Sequence, residues 1–194
     1  MMKTRVVIAI ALLGSCLTVL AQEKARPKAK TEKPTVTSVL DRQLTMLEKE
    51  FVPAAEAMPE DKYEFAPSDG EFKGVRTFAQ QVKHVAATNL IVAAALLGEK
   101  PQIDPKLDNG PDDVKTKDQI IKFLKDSFAQ SHKAVQTINN KNVTEMIPSP
   151  FDPKDKDPRL ALGNILTWHS FDHYGQMVVY LRMNGIIPPA SRKQ

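Results

Sequence analysis

Two of the four histidines in this chain lie four residues apart, in the segment His169-Ser170-Phe171-Asp172-His173. Side chains at positions i and i+4 of a helix lie one above the other on the same face, so two imidazoles at this spacing can bind one metal ion. Both histidines fall on the inward stripe of the last predicted helix, where an imidazole must lose its charge and find a partner. The pair therefore predicts two ligands of a divalent metal site.

His84 is the predicted third ligand. It lies on the inward side of the second predicted helix, and helical bundles build metal sites from side chains on facing helices. His132 is the alternative third ligand, because it lies near an apolar stripe of the third predicted helix. For each histidine the competing interpretation is an ordinary core or surface residue held by hydrogen bonds, and the residues alone leave both interpretations open.

The histidine pair does not match the metalloprotease pattern, in which a glutamate directly after the first histidine acts as general base. Ser170 occupies that position, and Asp172 is predicted to be a solvated surface charge. Gln176, about one turn beyond His173, is predicted either to support the site indirectly or to join two helices by a hydrogen bond. Trp168 flanks the stripe and is predicted to serve packing. No catalytic residue is assigned.

Four segments with apolar residues at helical spacing must position these histidines, and no segment shows a sustained alternation typical of strands. The first predicted helix starts near residue 37 or 38 and runs to about residue 51. The other three span about 75–97, 117–139 and 159–184. Four helices of this length, each with one apolar face, predict an all-α four-helix bundle. The two long loops before and after the third helix permit crossover connections.

Residues 1–21 are typical of a secretory signal peptide, because two basic residues precede an apolar run that is too short for a membrane span. Cleavage after Ala21 is the preferred prediction, and it removes Cys16, the only cysteine. The alternative is a lipoprotein site in which Cys16 becomes the lipidated first residue and attaches the protein to a membrane. Either route predicts an exported protein, periplasmic or extracellular.

The positive charge of the chain lies outside the predicted domain. The formal net charge is +4, and residues 1–35 carry more than this excess, so the predicted bundle, residues 36–190, is nearly neutral. Residues 22–35 lack apolar periodicity and are predicted to be a flexible basic tether. Nucleic acid is therefore not an expected partner. The expected partner is a small-molecule substrate, with a homodimer left open.

Two stretches of the sequence carry a family resemblance. Residues 167–189 contain His-x-x-x-His, then Gly-Gln, Tyr-Leu-Arg and a closing Gly-x-x-Pro-Pro, and residues 76–86 surround His84. Both stretches resemble the DinB/YfiT-like superfamily of small metal-binding four-helix bundles, which is unrelated to the DNA polymerase that shares the name. The resemblance covers residues 36–189 and implies that His84, His169 and His173 bind zinc or nickel.

The resemblance also implies a range of activities. Three neutral nitrogens leave at least one position on the ion for water or substrate, and the better-understood members resemble transferases and isomerases that use low-molecular-weight thiols. Because such thiols are mainly cytoplasmic, predicted export favours metal-assisted hydrolysis as an alternative. A non-catalytic module, in which the metal holds a ligand or stabilises the bundle, is the competing function, so the sequence leaves open whether the protein is an enzyme.

Overall fold

The computed structural model describes residues 33–193. The predicted signal peptide, Cys16 and most of the predicted tether lie outside the described residues. Four long helices dominate the described chain, and none of them is long and apolar enough to cross a membrane. The α-helices and strands in chain order are α1 (Val36–Ala57), α2 (Phe78–Leu97), α3 (Lys117–Val135), β1 (Met146–Pro148), β2 (Lys156–Pro158) and α4 (Arg159–Met183). The predicted all-α architecture is confirmed.

Helices that follow each other in the chain are not always neighbours in the bundle. Both α1 and α2 pack against α3 and against α4, whereas α1 and α2 lie diagonally opposite each other, as do α3 and α4. The connections from α1 to α2 and from α3 to α4 therefore cross the bundle diagonally. Of the two long loops that permit crossovers, only the one after α3 makes one, because the loop before it joins the neighbours α2 and α3. This order makes α2 and α4, which carry the three histidines of the predicted site, direct neighbours.

Capping boxes determine where the first three helices begin. Thr35, Thr77 and Thr116 each accept a hydrogen bond from the backbone N–H three residues later, and the side chain at that position accepts one from the threonine N–H. These reciprocal bonds satisfy amides that have no partner inside the helix. They start α2 at Phe78 rather than at the predicted residue 75.

The ends of α1 and α3 differ from the prediction. α1 continues past Pro53 to Ala57 rather than ending near residue 51, because a proline has a helical φ and its cost is one lost hydrogen bond and a local distortion. The added turn is held by packing, since Ala54 and Ala55 are completely buried. α3 ends at Val135, short of residue 139, where the Thr137 hydroxyl donates to the Ala134 carbonyl and the chain turns.

A short β-hairpin between α3 and α4 is absent from the prediction. β1 and β2 pair antiparallel with Ile147 opposite Asp157, and Ser149 donates its N–H to the Asp155 carbonyl at 2.9 Å where the ladder ends. Strands of three residues carry no detectable period-2 signal, and each includes a proline. The hairpin gives the predicted extended connection a defined shape and presents Phe151 at its tip.

The loop between α2 and α3 is fixed to the surface of α2. The Lys83 ammonium donates to the Pro111 and Val114 carbonyls at 2.9 and 3.2 Å. Gly110 has a φ of +72°, and a Cβ on it would lie 2.8 Å from the Lys83 Cβ and 3.1 Å from the Lys83 carbonyl oxygen. Only glycine allows this approach, and it places residues 105–108 beside His84.

Replacing Gly110 by alanine tests this contact. We expect Gly110→Ala to lower the free energy of unfolding by at least about 2 kcal/mol, because a left-handed backbone and an overlap with Lys83 add together. Gly98→Ala is the matched control, since Gly98 has the same φ of +72° and open space around it, and it should cost about 1 kcal/mol. Chemical denaturation measures both, and equal losses would contradict the close approach.

Candidate metal centre

The bundle brings His84 of α2 together with His169 and His173 of α4. The His84 Nε2 lies 3.0 Å from the His169 Nε2, and the three ring centroids are 4.6 to 5.0 Å apart. One ligand nitrogen from each residue lies within 4.8 Å of the other two. The three histidines are therefore close enough to bind one metal ion, although His84 lies 85 residues before His169 in the chain.

Burial favours the neutral form of all three imidazoles. His173 is buried, whereas His84 and His169 are half-buried. Burial, with a smaller contribution from the neighbouring histidines, lowers the pKa of His169 to about 4 and the pKa of His173 to about 3. Burial also lowers the pKa of His84, although its hydrogen bond to Asp108 opposes the shift. Neutral imidazole is the form that binds a metal ion.

Hydrogen bonds select the tautomers of two histidines. The His84 Nδ1 donates to the Asp108 backbone carbonyl, and the His173 Nδ1 donates to the Gln81 Oε1 at 2.5 Å. A carbonyl oxygen can only accept, so Nδ1 carries the proton in both rings and Nε2 keeps its lone pair. This outer support is typical of metal-binding histidines. The Nε2 atoms of His84 and His173 are therefore free to act as metal ligands.

His169 lacks such support. Its Nδ1 is buried and has no hydrogen-bond partner among the residues that the structure describes, while its Nε2 lies 3.0 Å from the unprotonated Nε2 of His84. If Nδ1 carries the proton, a buried donor is unsatisfied and two lone pairs face each other; if Nε2 carries it, Nδ1 is a buried acceptor without a partner. With Nδ1 protonated, the tautomer in which Nε2 can bind a metal, a cation among the rings would remove the lone-pair repulsion, so these residues fit a metal ion.

A chain of amides links the cluster to the surface of α4. Gln81 is 2 % exposed, and its Nε2 donates to the Gln176 Oε1 at 2.8 Å. The Gln176 Nε2 in turn donates to the exposed carboxylate of Asp172 at 3.2 Å. Gln176 therefore joins two helices and supports the site indirectly, through Gln81. Sequence reasoning missed Gln81, and the available signal was its position three residues before His84, on the same face of α2.

The carbonyl that orients His84 is held by a second set of contacts. Arg76 pairs with the Asp108 carboxylate at 2.5 Å and donates to the Asn109 Oδ1 at 2.9 Å. The Tyr180 hydroxyl donates to the Arg76 carbonyl at 3.0 Å and so connects this arginine to α4. Asp108 was also missed, because a backbone carbonyl 24 residues from its partner leaves no pattern in the sequence.

His132 does not join the cluster. Its Nδ1 lies 2.7 Å from an Asp41 carboxylate oxygen and its Nε2 lies 3.1 Å from a Glu48 oxygen. Both ring nitrogens are therefore occupied by carboxylates of α1, on the side of α3 that packs against that helix. The alternative third ligand of the sequence analysis is wrong, and His132 links α1 to α3 instead.

A cavity of about 810 Å³ opens beside the histidines. His84 and His169 line it, whereas His173 lies behind them in the core. Trp168, predicted to serve packing, is instead 60 % exposed and lines the cavity. The remaining walls come from α2, α4, the hairpin tip and the loop after α2: Ala87, Thr88, Ile91, Ile165, Pro105, Lys106, Leu107, Asp108, Ser149, Pro150, Phe151 and Pro153.

Comparison with known proteins agrees with the fold. A crystal structure of a DinB-like protein from Bacillus cereus matches with a TM-score of 0.62 and 18 % sequence identity, covering 80 % of this chain and 96 % of that chain. At this identity the likeness shows a shared fold. No curated protein matches the chain. The sequence model of the DinB superfamily matches residues 43–177, a range that includes all three clustered histidines. The chain belongs to the DinB superfamily.

Proposed function

We propose that His84, His169 and His173 bind one zinc or nickel ion, and that the protein is a metal-dependent enzyme that acts on a small molecule. The observation that carries this proposal is the meeting of three neutral imidazoles at the wall of an open cavity. Two of the three rings line that cavity, so a molecule inside it would reach the site.

The ligand set favours catalysis over a purely structural role. Structural zinc sites are closed by four protein ligands, whereas catalytic sites keep three and leave one position for water or substrate. Among residues 33–193, no carboxylate or fourth histidine belongs to the ligand cluster; the Asp108 carboxylate lies 3.3 Å from the His84 Nδ1, the nitrogen that donates to a backbone carbonyl. A closed site would be expected for the alternative function, a non-catalytic module in which the metal stabilises the bundle.

Hydrolysis is the reaction class that we propose. A bound ion of this kind supplies Lewis acidity, which polarises a carbonyl group and lowers the pKa of a water molecule. The chain itself contributes orientation: Gln81 and the Asp108 carbonyl hold the rings of His173 and His84 in the ligand tautomer. Proposed export away from cytoplasmic thiols supports hydrolysis over the thiol-dependent transfer that the family resemblance implies.

Metal binding by the three histidines is the first test. We expect wild-type protein to bind one zinc or nickel ion per chain, and His84→Ala, His169→Ala and His173→Ala each to weaken binding by more than the roughly 10- to 100-fold that loss of an outer hydrogen bond costs. Calorimetry and native mass spectrometry measure affinity and stoichiometry. His132→Ala is the control and should bind normally. Loss of metal in His132→Ala with normal binding in His84→Ala would reverse the assignment.

Turnover by the same proteins tests the enzymatic part of the proposal. Metal-loaded wild-type protein is assayed against ester, amide and thiol-conjugation panels, and activity that appears with the metal and disappears in His169→Ala supports a catalytic site. Activity confined to thiol conjugation would replace hydrolysis by transfer. No turnover in any panel, with full metal occupancy, would favour the non-catalytic module.

Gln81 provides a test of the outer support. We expect Gln81→Leu to weaken metal binding by about 10- to 100-fold, because the buried His173 Nδ1 loses its acceptor while all three ligands remain. Gln81→Glu keeps an acceptor for this nitrogen and should retain most of the affinity. Competition with a chelator measures the difference. If the two variants bind metal equally well, the hydrogen bond to His173 has no role in binding.

Export is part of the proposal and is tested separately. Expression of the full chain in a bacterial host that has both signal peptidases should yield a mature protein that begins at Gln22, because the predicted signal ends at Ala21. Intact mass and cell fractionation measure this, and Cys16→Ala should leave the mature mass unchanged. Membrane attachment would be established instead if the mature protein began at a lipid-modified Cys16 and if Cys16→Ala abolished this modification.

A further inference from the structure

Two large aromatic side chains are exposed beside the histidine cluster. Trp168 is 60 % exposed and Phe151 is 56 % exposed, and both line the same cavity as His84 and His169. Exposed aromatic groups that share one concave surface are a mark of a binding site rather than of packing. Neither side chain has a role in the proposed metal chemistry, so their presence calls for a ligand.

The positions of the two aromatics relative to the histidines are defined. The indole of Trp168 lies 6.0 Å from the His169 ring, centroid to centroid, and stands at 83° to it. Phe151 comes from the hairpin tip, where its N–H donates to the Ser149 hydroxyl at 3.4 Å. A molecule with one end at the histidines would therefore contact the indole of Trp168. It would occupy the same cavity as the phenyl ring of Phe151.

The cavity is lined mostly by apolar groups, and its polar groups include two histidines and Thr88. The Thr88 hydroxyl lies one helical turn from His84 on the same face of α2 and has no hydrogen-bond partner in the described part of the chain. Apolar side chains and prolines form most of the remaining lining: Ile91, Pro105, Leu107, Pro150, Pro153 and Ile165. A polar end and an apolar body match such a surface.

Building on the proposed function, we propose that this site selects a substrate with a planar aromatic body and an oxygen-bearing head, such as an aryl ester or aryl amide. The head occupies the histidine cluster beside Thr88. The body lies against the indole of Trp168 and the phenyl ring of Phe151.

Charge distinguishes this class from a polar thiol cofactor. Besides the histidines, the charged side chains that line the cavity are Lys106 and Asp108, and Asp108 is already paired with Arg76. A ligand that carries several charges would leave most of them without partners in the cavity. A planar aromatic body instead gains from stacking or edge contacts with both rings, each equivalent to about two- to tenfold in affinity.

Two probes that share the same polar head group but differ in the attached body test the proposal. The probes are 2-naphthohydroxamic acid and acetohydroxamic acid, which share a metal-binding head. Trp168 is the only tryptophan in the chain, and its fluorescence is followed in zinc-loaded full-length protein. Because Trp168 lines both this cavity and a neighbouring apolar one, the Phe151 variant described below assigns the signal to the histidine cavity. We expect the naphthyl probe to bind at least about fourfold more tightly than the acetyl probe, since two aromatic contacts of about two- to tenfold each add to the shared head.

Matched variants separate the body from the head. Phe151→Ala should reduce the preference for the naphthyl probe by about two- to tenfold and leave acetyl binding unchanged. Phe72→Ala is the control, because Phe72 is also exposed but does not line this cavity, and it should change neither value. Calorimetry with Trp168→Leu should show a similar loss. Zinc content is measured after each titration so that extraction of the metal is not mistaken for binding.

The outcomes distinguish this inference from the proposed function. The aromatic-body proposal would be overturned if the two probes bound with equal affinity, or if Phe151→Ala left the naphthyl preference intact. Binding of the acetyl probe that depends on His84 would still support the metal site in that case. Protein that binds neither zinc nor the acetyl probe would overturn both proposals. A naphthyl preference that falls in Phe151→Ala and Trp168→Leu, but not in Phe72→Ala, supports the inference.

Discussion

The hydrogen bond between His173 of α4 and Gln81 of α2 is the interaction on which the site depends. It lies where the two helices bring their histidines together, and Gln81 is buried there with both polar atoms of its amide in use. Leaving the buried Gln81 amide without its partner His173 or Gln176 would cost free energy. These two hydrogen bonds therefore constrain how α2 and α4 approach each other. That constraint places His84 against both histidines of α4.

The loop after α2 completes the arrangement from the outside. His84 is oriented by a backbone carbonyl, and a carbonyl is a useful ligand support only where the backbone is fixed. The contacts of Lys83 with residues 111 and 114, and of Arg76 with Asp108 and Asn109, supply that fixation. The same loop contributes one wall of the cavity. The loop after α2 therefore both orients His84 and forms part of the cavity wall.

Much of the fold could be predicted from residue patterns because helix formation and amphipathic packing are local. The apolar faces of α1 and α2 are buried, including Leu44 and Phe78, and the four predicted helices are present. The ends were less predictable, since Pro53 is tolerated inside α1 only through the packing of the turn that follows it. The hairpin was missed because its strands are too short for a periodic signal.

The sequence by itself determined that two histidines share a face of α4 and that a third lies on the inward side of α2, because helical geometry relates positions three or four residues apart. Only the tertiary structure decided that His84 joins them and that His132 is paired with carboxylates, since His84 lies on a predicted inward face and His132 lies near one. The same holds for Asp108, Gln81, Trp168 and Phe151. Their roles arise from contacts between distant segments, which no local spacing encodes.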